Sequence, residues 1–174
     1  MLIATTWEDE LRSEPRSGCA INAAVEVLGD SWSLIVLRDI VFGNRRHFRE
    51  LLTLNDESIA SNMLSSRLKK LVDDGLLTRA DTVRGQKAAY SLTEAGIQVV
   101  PVMVALGTWG VNHRPTSHEL TVRSRILAES PELVGDLMDE LREAHLGITL
   151  PESPRPRASE RLQAEFEAAL GGTS

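Results

Sequence analysis

Apolar positions along this chain recur mostly at helical spacing, and the stripes come in a definite order. In "CAINAAVEVL" (19–28), Ile21, Ala24, Val25 and Leu28 share one face, and Gly29 stops the helix. Asp30 or Ser31 caps the next segment, "WSLIVLRDIVF", which is apolar nearly all round and is expected at the centre of a domain. "GNRR" reads as a turn with two arginines, and "HFRELLTL" as a short helix with Phe48, Leu51 and Leu52 inward. After the loop "NDE" comes "SIASNMLSSRLKKLVDDGLL" (58–77). Here Leu64, Leu68, Leu71 and Val72 form one helical stripe, and Gly75 stands where a C-cap belongs. Ser61, Asn62, Ser65, Ser66, Lys69 and Lys70 fall off that stripe and face outward.

The period then changes. "LLTRADTV" and "KAAYSLT" read as two short strands around a basic "RGQ" tip. Thr93 and Glu94 open a long helix through Asn112, with a bend expected at Pro101. Ser130 and Pro131 have the N-cap and first-turn types for a helix striped by Leu133, Val134, Leu137, Met138 and Leu141 and closed by Gly147. "PESPRPR" is a proline-rich linker, and a last helix aligns Leu162, Phe166 and Leu170. Residues 1–18 form an N-terminal arm with Trp7 and Leu11 at helical spacing. The expected organisation is therefore an arm (1–18), a domain at 19–114 and a helical extension at 115–174.

Composition changes little in this picture, but charge does. With 174 residues, 42% hydrophobic and 25% charged, the chain can bury a core of its own; aromatics at 4% leave that core to aliphatic side chains. No apolar run approaches the ~20 residues of a membrane span, and the acidic start does not fit a secretory signal. One cysteine, Cys19, cannot form an internal disulfide, which fits a reducing cytoplasm. The formal charge of −6 argues at first against nucleic acid. Residues 115–174, however, carry 6 basic and 11 acidic side chains, whereas residues 38–87 carry 10 basic and 7 acidic ones. A surface attracts according to its local charge, and the basic part of this chain is its middle.

Three helices followed by a basic two-stranded wing, in a mainly α chain with a small β-hairpin, is the plan of a winged helix-turn-helix. A short helix, a turn and a second helix suit docking in the DNA major groove, provided the second helix is small and polar at its first turns. Within a recognition helix at about 60–73, Ser61, Asn62, Ser65 and Ser66 meet that need; Asn can pair with adenine and Ser is adaptable. Arg67, Lys69 and Lys70 suit phosphates, as do Arg84 and Lys87 on a wing at 77–92 and Arg45 and Arg46 before the short helix. His47 reads as a phosphate or helix-cap residue. Alone, the 58–77 segment would pass for an ordinary amphipathic helix with a solvated face. Its place between a short helix and a basic wing favours DNA.

From Cys19 to about Asn112 the chain resembles the HxlR-type winged helix-turn-helix regulators of bacteria. The resemblance rests on "CAINAAVEVLGDSWSLIVLRDIVFGNRRHFRELL", "IASNMLSSRLKKLVDDGLL", "YSLTEAG" and "ALGTWG". It implies a homodimer, built on the N-terminal helix and the long helix at about 94–112, that binds a two-fold symmetric operator. Such proteins often carry an Arg-x-Glu-Tyr run in the second wing strand; this chain has "KAAY", so Ala89 lacks the acid. The acidic segment from Pro115 onward lies outside the common pattern. In some members of that family the equivalent of Cys19 senses oxidants; a small buried residue at a dimer contact is the plainer reading here.

Other chemistries find little support. His47, His113, His118 and His145 are scattered without ligand spacing, so neither a metal nor a cofactor is expected. The chain has no P-loop, GxGxxG or GxSxG, and Asp73 and Asp74 sit at a helix end, so an enzyme is not expected. The expected partners are double-stranded DNA and a second copy of the chain, with no membrane. Two further readings stay open: a winged-helix interaction module that does not bind DNA specifically, and a regulator whose 119–146 helices enclose an apolar small-molecule effector of unknown identity.

Overall fold

The computed structural model describes residues 15–80, 87–151 and 155–171. The expectations for Trp7, Leu11, Arg84 and the "RGQ" tip therefore lie outside the described residues. Two compact units make up the chain, Met1–Gly96 and Ile97–Ser174.

The first unit contains helices α1 (Ala20–Leu28), α2 (Ser31–Gly43), α3 (Phe48–Thr53) and α4 (Ser61–Asp73), then strands β1 (Leu77–Arg79) and β2 (Tyr90–Leu92). Helix α2 starts where Asp30 accepts a hydrogen bond from the Ser33 N–H at 2.9 Å, a side-chain N-cap. It ends on Asn44 in the left-handed region (φ 47°). Helix α4 packs on α2, α3 and β1 through Leu64, Leu68 and Leu71, all buried. At its end Gly75 takes φ 72°, and the Leu76 N–H returns to the Leu71 carbonyl at 2.9 Å. That is the glycine stop read from the sequence. The strands pair antiparallel with Leu77 opposite Leu92, Thr78 opposite Ser91 and Arg79 opposite Tyr90. A single bridge joins His47 to Ala89, so the wing's second arm also touches the residue that opens α3.

Two expectations are adjusted here. Helix α2 is not buried all round: Val36, Leu37, Ile40 and Val41 are in the core, Trp32, Leu34 and Ile35 are half-covered, and the charged Asp39 is buried. The second strand is also shorter than its β-prone run: β2 covers Tyr90–Leu92, with Ala89 before it accepting from the Ala80 N–H, while residues 81–83 of the first run lie outside the described residues.

The segment after the wing is divided rather than bent at Pro101. Helix α5 (Glu94–Ile97) stops, residues 98–99 form a turn, and α6 (Val100–His113) restarts with Pro101 in its first turn. Proline has no N–H to donate to residue 97 and its ring crowds that carbonyl, whereas the first turn of a new helix needs no such donor. Taken as one stretch, Glu94–His113 has the length and apolar composition of a membrane span, which the sequence reading did not allow for.

In the second unit, α7 (His118–Glu129) and α8 (Pro131–Leu146) pack with α6, and α9 (Ala158–Gly171) packs on α7 and α8. Helix α8 has the limits its sequence signals: Ser130 Oγ accepts from the Leu133 N–H at 3.2 Å, and Gly147 adopts φ 71°. Leu133, Leu137, Met138 and Leu141 are buried as its stripe requires. Helices α6 and α7 approach closely at Gly107, where a Cβ would crowd the Ser124 side chain. On α9, Leu162 is buried and Phe166 lies under the Arg123 guanidinium, 4.3 Å from the ring centre, while Leu170 is exposed.

Candidate nucleic-acid interface

Helices α3 and α4 and the turn between them form the helix-turn-helix. Ser61, Asn62, Ser65 and Ser66 are all exposed on α4, small and polar along its first two turns. The Asn62 carboxamide oxygen accepts from the Met63 N–H at 2.9 Å, which leaves its NH2 group outward. Ser66 Oγ accepts from Arg67 at 3.3 Å.

The cations divide by their partners. Arg45 places Nη1 3.1 Å from the buried Asp39 carboxylate. Arg46 donates from Nε to the Tyr90 carbonyl at 3.2 Å and also bonds the Ser91 hydroxyl, so it joins the start of α3 to the wing. Arg67 reaches Asp30 at 2.8 Å and ties α4 to the N-cap of α2. Burial alone would raise the Asp30 carboxyl, but the Ser33 N–H and Arg67 outweigh it and hold the group below its ordinary value. Lys70 donates to the Val27 carbonyl at 3.3 Å and pairs with Asp74. Lys69 is far more exposed and, among the described residues, pairs with Asp73, one turn along a solvated face. Lys87 is exposed beside the wing tip, and Arg84 lies outside the described residues.

Two further cations, which the sequence pattern does not single out, also face outward. Arg49 on α3 and Arg79 on β1 are exposed and carry no ion pair among the described residues. Strand alternation gave no signal for Arg79, since it shares a face with the buried Leu77; its exposure comes from standing at the open end of β1. His47 occupies the N-cap position of α3, and Glu50 accepts from the backbone N–H groups of Arg46 and His47 at 3.1 and 3.0 Å.

The turn itself is held by two side chains of α2. Arg38 makes a bidentate pair with Glu57 at 2.6 and 2.8 Å, which holds the Glu57 carboxyl below its ordinary range and raises the Arg38 guanidinium. Asp39 accepts from Asn55 at 3.0 Å. Ser58 completes the turn with φ 58°.

Cys19 is exposed at the N-cap position of α1, and the neighbouring Arg16 is engaged with Glu26 at 2.7 Å. No group of three or more His, Cys, Asp or Glu among the described residues is placed to hold a metal ion. In the second unit a cleft of about 850 Å³ is lined by Glu132, Asp136, Glu140, Arg155 and Arg157 among others. Its walls are mixed, with these charged side chains beside Leu150, Pro151, Pro156 and Ala158.

Comparison with known proteins agrees with this geometry. The family profile described as HxlR-like helix-turn-helix matches residues 27–118. A relative from Mycobacterium bovis, named an uncharacterised HTH-type transcriptional regulator, is 36% identical over 99 residues, 56% of this chain and 61% of that protein. The HTH-type regulator YdeP of Bacillus subtilis is 30% identical over 103 residues, covering 59% of this chain and 79% of its own. A crystal structure of PA1607, assigned as a transcription factor, superposes with a TM-score of 0.53 at 28% identity, covering 59% of this chain and 70% of that one. The chain thus spans about three fifths of the mycobacterial relative's length. With more than half of its residues matched and a winged helix-turn-helix in place, this chain belongs to the HxlR-like helix-turn-helix family.

Proposed function

We propose that this protein is a transcriptional regulator that binds double-stranded DNA as a homodimer on a two-fold symmetric operator. The observation that carries the reading is the exposed polar N-terminal half of α4, where Ser61, Asn62, Ser65 and Ser66 stand clear of the packing surface. A helix with small polar side chains at its start lets the backbone approach base edges, and Asn62 has a free NH2 for an acceptor there. Lys69 and Lys87, with Arg84 on the wing, supply phosphate contacts that fix register without reading sequence. Arg45, Arg46 and Lys70 already hold protein partners, so they position the α3–wing–α4 frame as well as facing the backbone.

Uncovered apolar stripes support the dimer. On α1, Ile21 is 75% and Val25 56% exposed; on α6, Val102, Leu106 and Trp109 recur at helical spacing, with Trp109 59% exposed. Stripes of this kind cost solubility unless another surface covers them, and a second copy does so in a symmetric protein. The exposed Cys19 thiol supports access by an oxidant, and a dimer contact over it would remove that access. Slower labelling of Cys19 in the dimer than in a monomerised variant would mark it as a contact residue. A DNA regulator of this kind works in the cytoplasm.

The test is a gel-shift comparison on a duplex selected from a random library and on its scrambled counterpart. Asn62→Ala should weaken the selected duplex alone, narrowing the preference by about tenfold, the worth of one bidentate base contact. Lys69→Ala should weaken both duplexes alike. Loss of the same size on both duplexes for Asn62→Ala would overturn the assignment of α4 as the reading helix.

A further inference from the structure

Beyond the residues that would touch DNA, one buried side chain stands between the domain core and the start of α4. Asn55 lies in the α3–α4 turn and is 9% exposed. Its Nδ2 donates to Asp39 Oδ2 at 3.0 Å, its Oδ1 accepts from the Ile59 N–H at 3.2 Å, and its carbonyl accepts from the Ser58 N–H at 3.4 Å. The Asp39 end is rigid. Oδ1 of Asp39 takes two bonds from Arg38 at 3.0 and 2.8 Å, while Oδ2 shares Asn55 with Arg45 at 3.1 Å. The other end is one residue short of the helix: Ile59 is buried, Ala60 is the N-cap, and Ser61 is the first residue of α4. Ala60 has no side-chain oxygen, so α4 begins without a side-chain cap of its own. Besides the Arg38–Glu57 pair and the burial of Ile59 and Leu64, the bridge from α2 through Asn55 ties that first turn to the core.

We infer that Asn55 is a positioning residue for base readout: it sets the pose of the first turn of α4, where Ser61 and Asn62 stand, without touching DNA. This rests on the DNA-binding reading above. The physical argument is one of tolerance. Hydrogen bonds to base edges hold only within a few tenths of an ångström and a limited angle, so a shift of the first turn breaks them. Phosphate contacts from Lys69, at the far end of the helix on a four-carbon stem, follow such a shift at little cost. Loosening Asn55 therefore removes discrimination between sequences while leaving general affinity in place. That separation is the signature of positioning.

The same two duplexes serve as probes, with four proteins: wild type, Asn55→Ala, Ala60→Ser and the double variant. Ala60→Ser gives α4 a local cap and raises the melting temperature without restoring the link to Asp39. The expected result is that Asn55→Ala loses about tenfold or more of the preference for the selected duplex. It should keep its affinity for the scrambled one. The double variant should regain melting temperature and leave the preference lost. Preference that returns in step with melting temperature, or that Asn55→Ala never loses, would overturn the inference. So would an equal loss on both duplexes. Should Asn55→Ala fail to fold, Asn55→Ser takes its place. Its shorter side chain keeps a polar group in the turn but cannot span from the Ile59 N–H to Asp39, and it should lose the same preference. Wild type that binds neither duplex would defeat the DNA-binding reading itself, an outcome separate from any behaviour of the variants.

Discussion

The Lys70 ammonium lies 3.3 Å from the Val27 carbonyl oxygen, in the last turn of α1, with Asp74 as its second partner. A cation at a helix C-terminus stabilises it by about 0.3–1 kcal/mol. Lys70→Ala is therefore expected to lower the melting temperature by about 2–4 °C per kcal/mol lost. Lys69→Ala, one residue before it on the solvated face, should leave the melting temperature unchanged within about 1 °C, because exposed pairs contribute little. Scanning calorimetry of the two variants side by side checks the contrast. Equal shifts would mean the Val27 contact contributes nothing.

Asp39 is 4% exposed and holds Arg38, Arg45 and Asn55 at once. Removing it leaves Arg38 with Glu57 alone and takes the partner from Arg45 and from the buried Asn55 amide. The expected cost of Asp39→Ala is about 1–3 kcal/mol, the cost of leaving a buried polar group unpaired, because both guanidinium groups reach solvent. Urea unfolding should show a lower midpoint at an unchanged slope. A cost below about 1 kcal/mol would mean that water replaces the carboxylate freely.

Glu57 gives a pH prediction with a definite sign. The Arg38 pair holds its carboxyl below the ordinary value of 4.5, so the ionised form is favoured in the folded state. The stability this contributes is complete above pH 4.5 and is lost as pH falls through the depressed folded value. Both side chains are more than a third exposed, so the effect is below about 1 kcal/mol. Melting curves of Glu57→Gln against wild type should converge as pH is lowered through that window and differ at pH 6. A constant difference at all pH values would refute the linkage.

Two backbone positions make opposite predictions. Ser58 holds φ 58° and Gly75 holds φ 72°, one entering the recognition helix and one leaving it. A left-handed residue other than glycine costs about 1–2 kcal/mol, of which glycine's extra unfolded-state entropy returns about half. Ser58→Gly should thus stabilise by about 0.5 kcal/mol, and Gly75→Ala should destabilise by about 1 kcal/mol. Thermal melts of both variants decide the signs.

These contacts also mark how far the sequence could be read. Stripes and stops were legible because they are local: Ser130, Pro131 and Gly147 delimit α8 by their own conformational preferences, and Gly75 ends α4 in the same way. The division before Pro101 was placed a few residues off, because sequence marks that a proline disturbs a helix but not on which side the break falls. Side-chain partners were not legible. Nothing in the spacing of Arg46 says that it meets Tyr90 and Ser91, 44 and 45 residues away. An arginine announces positive charge; whether that charge is already spoken for inside the fold depends on tertiary contacts. Asn55 went unnoticed for the same reason, as an asparagine in a loop reads as a turn former until Asp39 is found beside it.

The central claim is that this acidic chain binds duplex DNA through a locally basic helix-turn-helix. Fluorescence anisotropy on a labelled generic duplex of about 30 base pairs, titrated between about 50 and 200 mM salt, tests it most directly. The account predicts binding at low salt that weakens by about a thousandfold over that range, the release expected for some six phosphate contacts per dimer. No binding at the lowest salt, or binding indifferent to salt, would contradict it.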